Sequence, residues 1–255
     1  MNIFKQFYKS LYSPKDIALF RFQGIGKSIL YVFLLSFLSI VPTSFYLSTA
    51  IIEGVNAAQQ SLAEEFPDFT IKDGALDSES SAPVESTING FTLYFDSTGS
   101  LELNDLTTNN GLALLSNEFV FIAGGELTSY PYTMIEGADL TKEDAVNLLN
   151  NADSALFILI PILILVIFLF SSAVRFIEVS VLALLGVLFK NVSSRKLQYR
   201  HLWRMAVYSI TLPTLFFAIM AFLQTSVPGG FWLYWLVSLS VLYLAIKEVP
   251  ASKKE

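Results

Sequence analysis

Two ionisable residues interrupt the longest apolar run of the chain. Arg175 and Glu178 are the only charges between Ser154 and Phe189. Their i, i+3 spacing puts them on one helical face, within ion-pair reach. Ionisable groups at membrane depth often mark function, which makes this pair the candidate functional ion pair. The plainer use is a structural pair near the inner headgroups. Asp96-Ser97-Thr98-Gly99 resembles the Asp-Thr-Gly loop of an aspartic protease, with one residue too many. No second copy supplies the partner carboxylate that such a dyad needs. A turn after a strand suits these residues better. His201, the one histidine, sits among bases with no second ligand nearby in sequence, and a zinc site needs several donors. The chain has no cysteine, so disulfides, thiolate metal sites and Cys nucleophiles are excluded. No Gly-Lys-Ser/Thr phosphate loop and no Asp-x-Asp-x-Asp-Gly calcium loop occurs. The reading is therefore no catalytic residue, no metal, no cofactor and no enzyme.

Charge is partitioned along the chain. Residues 53–153 hold 18 of the 22 acids and two of the 16 bases, a net charge of −16. The remainder, with 14 bases and four acids, carries +10. The chain is 53% hydrophobic with a mean hydropathy of +0.56. Apolar runs near 20 residues in such a composition indicate a multi-pass membrane protein. At roughly 100 residues, the acidic insert is long enough to fold without staples.

The membrane elements follow in order. Residues 1–27 read as a cytoplasmic amphipathic segment. Ile3, Phe4, Phe7, Tyr8, Leu11 and Tyr12 share one face and Lys5, Gln6 and Lys9 the other, as in a membrane-surface anchor or a helix packed on the bundle. Ser13-Pro14 reads as an N-cap with proline at the first helical position. Residues 28–52 form transmembrane helix 1, about 37 Å long at 1.5 Å per residue, with Pro42 inside it. A cleaved signal peptide ending near Ala50 is the competing reading, disfavoured by its length. Residues 154–189 form transmembrane helix 2 with an inner-surface extension. A helix of this length spans about 54 Å, so a hairpin turning at Ser171-Ser172 is the alternative, giving five crossings instead of four. The basic loop 190–204 favours a single crossing, because short loops rich in Lys and Arg stay cytoplasmic. Helices over 205–226 and 229–246 complete the set, and the tail 247–255 lies inside. His201 is an ordinary residue of the 190–204 loop.

The acidic insert, 53–153, reads as a small α+β, mainly antiparallel β, extracytoplasmic domain. A helix continues from the membrane and stops before Pro67. Phe69-Thr70-Ile71 is strand-like and precedes an Asp73-Gly74 turn; residues 77–87 read as a flexible loop. Asn89-Gly90 and Gly124-Gly125 predict hairpins. Thr141-x-x-Asp144 predicts the start of a helix over about 142–151.

Ser10-Leu11-Tyr12-Ser13-Pro14 with Phe20-Arg21, Asp73-Gly74, Phe95-Asp96-Ser97-Thr98-Gly99, and Tyr199 through Trp203-Arg204 and Tyr208 to Pro213 carry a resemblance. The chain resembles the YvdJ-like family of uncharacterised membrane proteins of Gram-positive bacteria, labelled maltodextrin-utilisation proteins. Its membrane half is remotely similar to Yip-like proteins, a likeness that makes a fifth crossing more credible. The label implies a link to maltodextrin uptake. Phe91, Tyr94, Phe95, Tyr130 and Tyr132 are the only aromatic residues of the insert considered for sugar stacking, and core packing is their plainer use. The functional expectation is a non-enzymatic sensing, docking or transport-accessory protein of a bacterial plasma membrane, with both termini cytoplasmic. Its partners would be the bilayer, with anionic lipid at the inner surface, and a membrane protein such as a sugar-transport component; nucleic acid is not expected. A small-solute transporter, suggested by Pro42, Pro161 and Pro213, is the first alternative. A membrane enzyme of unknown class is the second.

Overall fold

The computed structural model describes residues 2–135 and 139–251. Glu136 of the acidic insert and Lys253 and Lys254 of the tail lie outside the described residues. The chain forms two compact units, one of residues 1–46 with 162–255, the other of residues 47–161. Among the described residues, four helical stretches are long and apolar enough to cross a membrane: Ile25–Glu64, Ser154–Val192, Tyr199–Phe222 and Gly230–Lys247.

The chain opens with α1 (Ile3–Ser10) and α2 (Pro14–Phe20). Ser13 caps α2 by accepting from the Asp16 N–H at 3.2 Å, with Pro14 in the first turn, as its sequence predicts. Lys9 ties the two helices together by donating to Asp16 at 2.7 Å. The faces of α1 differ from the expected ones. Gln6 and Ser10 are buried, while Phe4, Tyr8 and Tyr12 point outward. A polar floor explains this: Tyr208 Oη donates to Gln6 Oε1, and Ser10 Oγ donates to the Gln6 carbonyl.

Next comes α3 (Ile25–Glu64), which runs unbroken through Pro42. The inserted unit then supplies β1 (Phe69–Lys72), β2 (Ala75–Ser78), β3 (Val84–Ile88), β4 (Phe91–Phe95), β5 (Asn110–Leu114), β6 (Glu118–Ala123), β7 (Glu126–Pro131), β8 (Leu140–Thr141) and α4 (Lys142–Asn150). One sheet has the order β2-β1-β8, the other β3-β4-β5-β6-β7. Three two-residue hairpin turns fall at Asp73-Gly74, Asn89-Gly90 and Gly124-Gly125, with every turn residue at positive φ. Such turns match the twist of the flanking strands. The expected 77–87 loop is narrower than its composition suggests, because both ends are drawn into β2 and β3. The pairing is antiparallel except between β4 and β5, which are parallel. Parallel neighbours require a crossover, and residues 96–109 provide it in place of a hairpin. Thr141 and Asp144 form the expected capping box of α4, with the Thr141 N–H donating to Asp144 at 3.0 Å.

Two apolar cores hold this unit together. Phe69, Ile71 and Leu76 of the smaller sheet meet Leu93 and Phe95 of the larger one and Ala57, Ala58 and Leu62 of α3. On a second core, Tyr94, Ala113, Val120 and Ile122 are covered by Leu106 and Leu115. Each fully buried large apolar side chain contributes about 1.5–3 kcal/mol.

The chain then returns through α5 (Ala152–Val192), α6 (Tyr199–Ser209), α7 (Thr211–Phe222) and α8 (Gly230–Lys247). α5 is one helix of 41 residues. No turn forms at Ser171-Ser172, and Ser172 is buried within it. The stretch 175–189, expected along a surface, carries Val179, Leu182 and Ala183, which have no exposed area and share a core with α2, α6 and α8. The basic loop 190–204 is shorter than expected, since α6 starts at Tyr199. Leu202, Met205, Ala206 and Ser209 give α6 a buried face that its bases disguise in sequence.

α6 and α7 form one apolar span interrupted at Ile210. Pro213 lacks the N–H that would continue the helical ladder. A hydroxyl satisfies one carbonyl at the break: Thr211 Oγ1 donates to the Tyr208 carbonyl at 2.8 Å, while Ser209 Oγ donates to that of Met205 within α6 at 2.9 Å. Tyr31 Oη on α3 lies 2.8 Å from the same Thr211 hydroxyl.

Candidate functional site

The i, i+3 spacing on α5 does bring Arg175 and Glu178 together. Arg175 Nη1 donates to Glu178 Oε2 at 2.8 Å. The same nitrogen donates to Tyr234 Oη on α8, and the guanidinium carbon lies 5.5 Å from the Tyr234 ring centre. Tyr234 Oη is in turn 3.1 Å from Thr214 Oγ1 on α7. One ion pair thus anchors a polar chain across three helices. Tyr234 stands just inside the N-terminal end of α8, where Ser238 Oγ donates to its carbonyl at 2.8 Å. The Phe217 ring packs 5.8 Å away, holding the phenol in place.

The pair is mostly withdrawn from solvent, with side chains 13% and 14% exposed. Glu178 Oε1 is buried and has no hydrogen-bond partner among the described residues. A cavity of about 670 Å³ opens beside it, walled by Val174, Ile177, Phe217, Phe231 and Trp235. Its size falls within the range of small-molecule sites. The arrangement can hold and orient a polar group at one end of an apolar groove. Tyr234 and Thr214 are not foreshadowed by spacing; the signal was only that hydroxyls on apolar helices tend to find partners.

Asp96 is a structural acid. It has no exposed surface and closes the crossover after β4. It accepts from the Thr98 N–H at 2.9 Å, the Thr98 hydroxyl at 2.6 Å and the Leu101 N–H at 2.7 Å. Burial pushes its carboxyl pKa up, but these hydrogen bonds outweigh burial and leave it below the ordinary value. The turn expected of Asp-Ser-Thr-Gly is what forms.

His201 lies in the first turn of α6, where the Gln198 N–H points to Nδ1 at 3.5 Å and the Phe22 ring is 6.1 Å away. No group of three or more His, Asp or Glu suited to a metal occurs among the described residues. Of the five aromatic residues considered for stacking, Tyr94, Phe95 and Tyr132 are buried in the cores and Phe91 is partly buried. Tyr130 is 40% exposed and stacks on Phe119 at 5.1 Å.

The motif residues at the two ends of the chain converge. Phe20 packs on Tyr208 at 4.7 Å between ring centres, and Arg204 donates to the Arg21 carbonyl at 2.9 Å, closing the end of α2. This is a docking contact of α2 on α6.

No curated protein and no solved structure matches the chain. A family model described as "Protein of unknown function (DUF1189)" matches residues 4–246.

Proposed function

The chain belongs to the DUF1189 family, and from that premise we propose a non-enzymatic multi-pass protein of a bacterial plasma membrane whose insert docks a partner outside the cell. The exposed edge of the inserted unit carries this reading. β7 ends the five-stranded sheet, and all six of its residues are exposed. Leu127 and Tyr130 lie on it, and Phe121 on β6 beside it. An uncovered edge strand is a template for strand addition, which supplies affinity through main-chain hydrogen bonds and specificity through alternate side chains. The maltodextrin label of the resembled family makes a sugar-transport component the partner to seek. At the inner surface, outward-facing Phe4, Tyr8 and Tyr12 alternate with exposed Lys5 and Lys15, a mixture suited to anionic lipid.

The test is affinity capture of the full chain from native membranes, beside a Leu127→Asp, Tyr130→Asp variant. A transport component should be recovered with the native chain, and at least tenfold less with the variant. Equal recovery, or nothing above background with the native chain, would remove the docking role.

A further inference from the structure

We infer that Arg21, Arg200, His201 and Arg204 form a binding site for the phosphate of an anionic phospholipid, where the end of α2 meets the start of α6. The site rests on the anionic-lipid reading of the inner surface and is independent of docking by the insert.

The contacts gather positive charge from two helices. Arg204 donates to the Arg21 carbonyl at 2.9 Å, which brings its guanidinium to the end of α2. The Arg21 guanidinium carbon stands 4.1 Å from the Phe22 ring centre, and that ring is 6.1 Å from His201. Arg200, Arg204 and Arg21 all lie within electrostatic reach of the imidazole. Among the described residues, none of the three arginines forms an ion pair. α6 contains no acid, and the one acid of α2, Asp16, is committed to Lys9 and Ser13. The placement also opposes helix stability. Arg200 and His201 occupy the first turn of α6, the positive end of the helix, where acids are favourable and cations are not. Arg200 and Arg204 add a like-charge pair at i, i+4. An anion relieves both costs at once, and guanidinium forks match phosphate oxygens.

Phe22 selects a lipid over a free anion. Its ring is 67% exposed beside the cluster, and Leu19 and Ile25 are about half exposed. A soluble phosphate gains nothing from this apolar surface, whereas the glycerol backbone and upper acyl chain of a phospholipid cover it. A zwitterionic head would bring its own cation to a cationic cluster, so a head of net negative charge is favoured.

His201 is the sole histidine, so its ring gives one signal in a histidine-labelled chain. The full chain, purified without a histidine tag, is held in uncharged detergent micelles and followed by NMR as short-chain phosphatidylglycerol is added. Parallel titrations use the matching phosphatidylcholine and glycerol phosphate. The His201 shift should saturate near one phosphatidylglycerol per chain, with an affinity at least tenfold above that for either comparison ligand. Arg200→Gln, at an exposed position, should weaken binding at least fivefold; Lys5→Gln, the same charge change on exposed α1, should leave it unchanged. Phe22→Ser should cut the preference for lipid over glycerol phosphate to less than threefold. A shift that grows without plateau, equal affinity for glycerol phosphate or phosphatidylcholine, or no greater loss in Arg200→Gln than in Lys5→Gln would overturn the site. Diffuse attraction of anionic lipid predicts that last result, so the inner-surface reading survives it. No response to phosphatidylglycerol would remove both.

Discussion

Asp96 shows how a residue that looks chemical serves a fold. Its three hydrogen bonds organise the crossover between β4 and β5, and they favour the ionised form. Its folded pKa lies below the ordinary carboxyl value. A depressed pKa means the charge contributes stability in full above the unfolded value of about 3.9, and the contribution is lost as pH falls through the lower folded value. Asp96→Asn keeps the shape but turns an amide N–H toward the Leu101 N–H. It should destabilise the inserted unit by about 2 kcal/mol at neutral pH, and by less in acid, as pH falls through the lowered folded pKa and the native acid itself becomes protonated. Urea titrations of the full chain, read by proteolysis within the insert, measure both. An equal loss at the two pH values would show that the carboxylate charge plays no part. The turn was legible in the sequence, because Asp, Ser and Gly act locally. The acid's burial was not, because Leu101 and Thr98 must fold back to create it.

At the scale of elements, legibility divides along the same line. The three hairpins rest on two-residue turns whose chemistry is contained in the turn, so Asn89-Gly90 and Gly124-Gly125 announce them. The start of α4 is equally local, written as Thr141 and Asp144. The parallel neighbours β4 and β5 have no local sign, since their pairing depends on 14 intervening residues. Gly111 records that pairing afterwards: a Cβ there would lie 2.1 Å from the Thr92 carbonyl oxygen. Gly111→Ala should therefore force the two strands apart at a cost of about 3 kcal/mol, the upper range for overpacking. Amide exchange across β4 and β5 is the measurement, and unchanged protection would show that the sheet absorbs the methyl group. In the helices, apolar length was plain, but the early start of α6 was hidden because Arg200, His201 and Arg204 share its sequence with the buried face. The ion pair was legible from spacing alone, whereas its tyrosine partner lies 59 residues further on.

For the whole molecule, the charge partition and the four apolar stretches lead to one expectation of orientation. As a single helix, α5 is expected to cross once from the insert, and the five Lys and Arg of residues 190–204 favour the cytoplasm. The chain has no cysteine, so single introduced thiols report without interference. In intact cells, an impermeant thiol reagent should label Ser80→Cys and spare Ser193→Cys. Labelling of both would put the basic segment outside, and the proposed orientation would fail. The acids of the insert contribute little to this outcome; the short basic segments decide it.

The two-residue strand β8 has a further consequence. It pairs with β1, so the chain leaves the inserted unit beside the strand by which it came in. Lys142 reaches the Phe66 carbonyl at 2.7 Å, and Gln59 the Leu149 carbonyl, so the two connecting helices are stitched to each other. The two ends of the stretch 67–141 therefore stand side by side. Exposed loops within it can change length without altering the span between those ends, while Phe69, Leu93 and Phe95 stay tied to α3 through the shared core. An insertion or deletion at such a loop tip is absorbed within the insert and does not shift the helices that lead into and out of it.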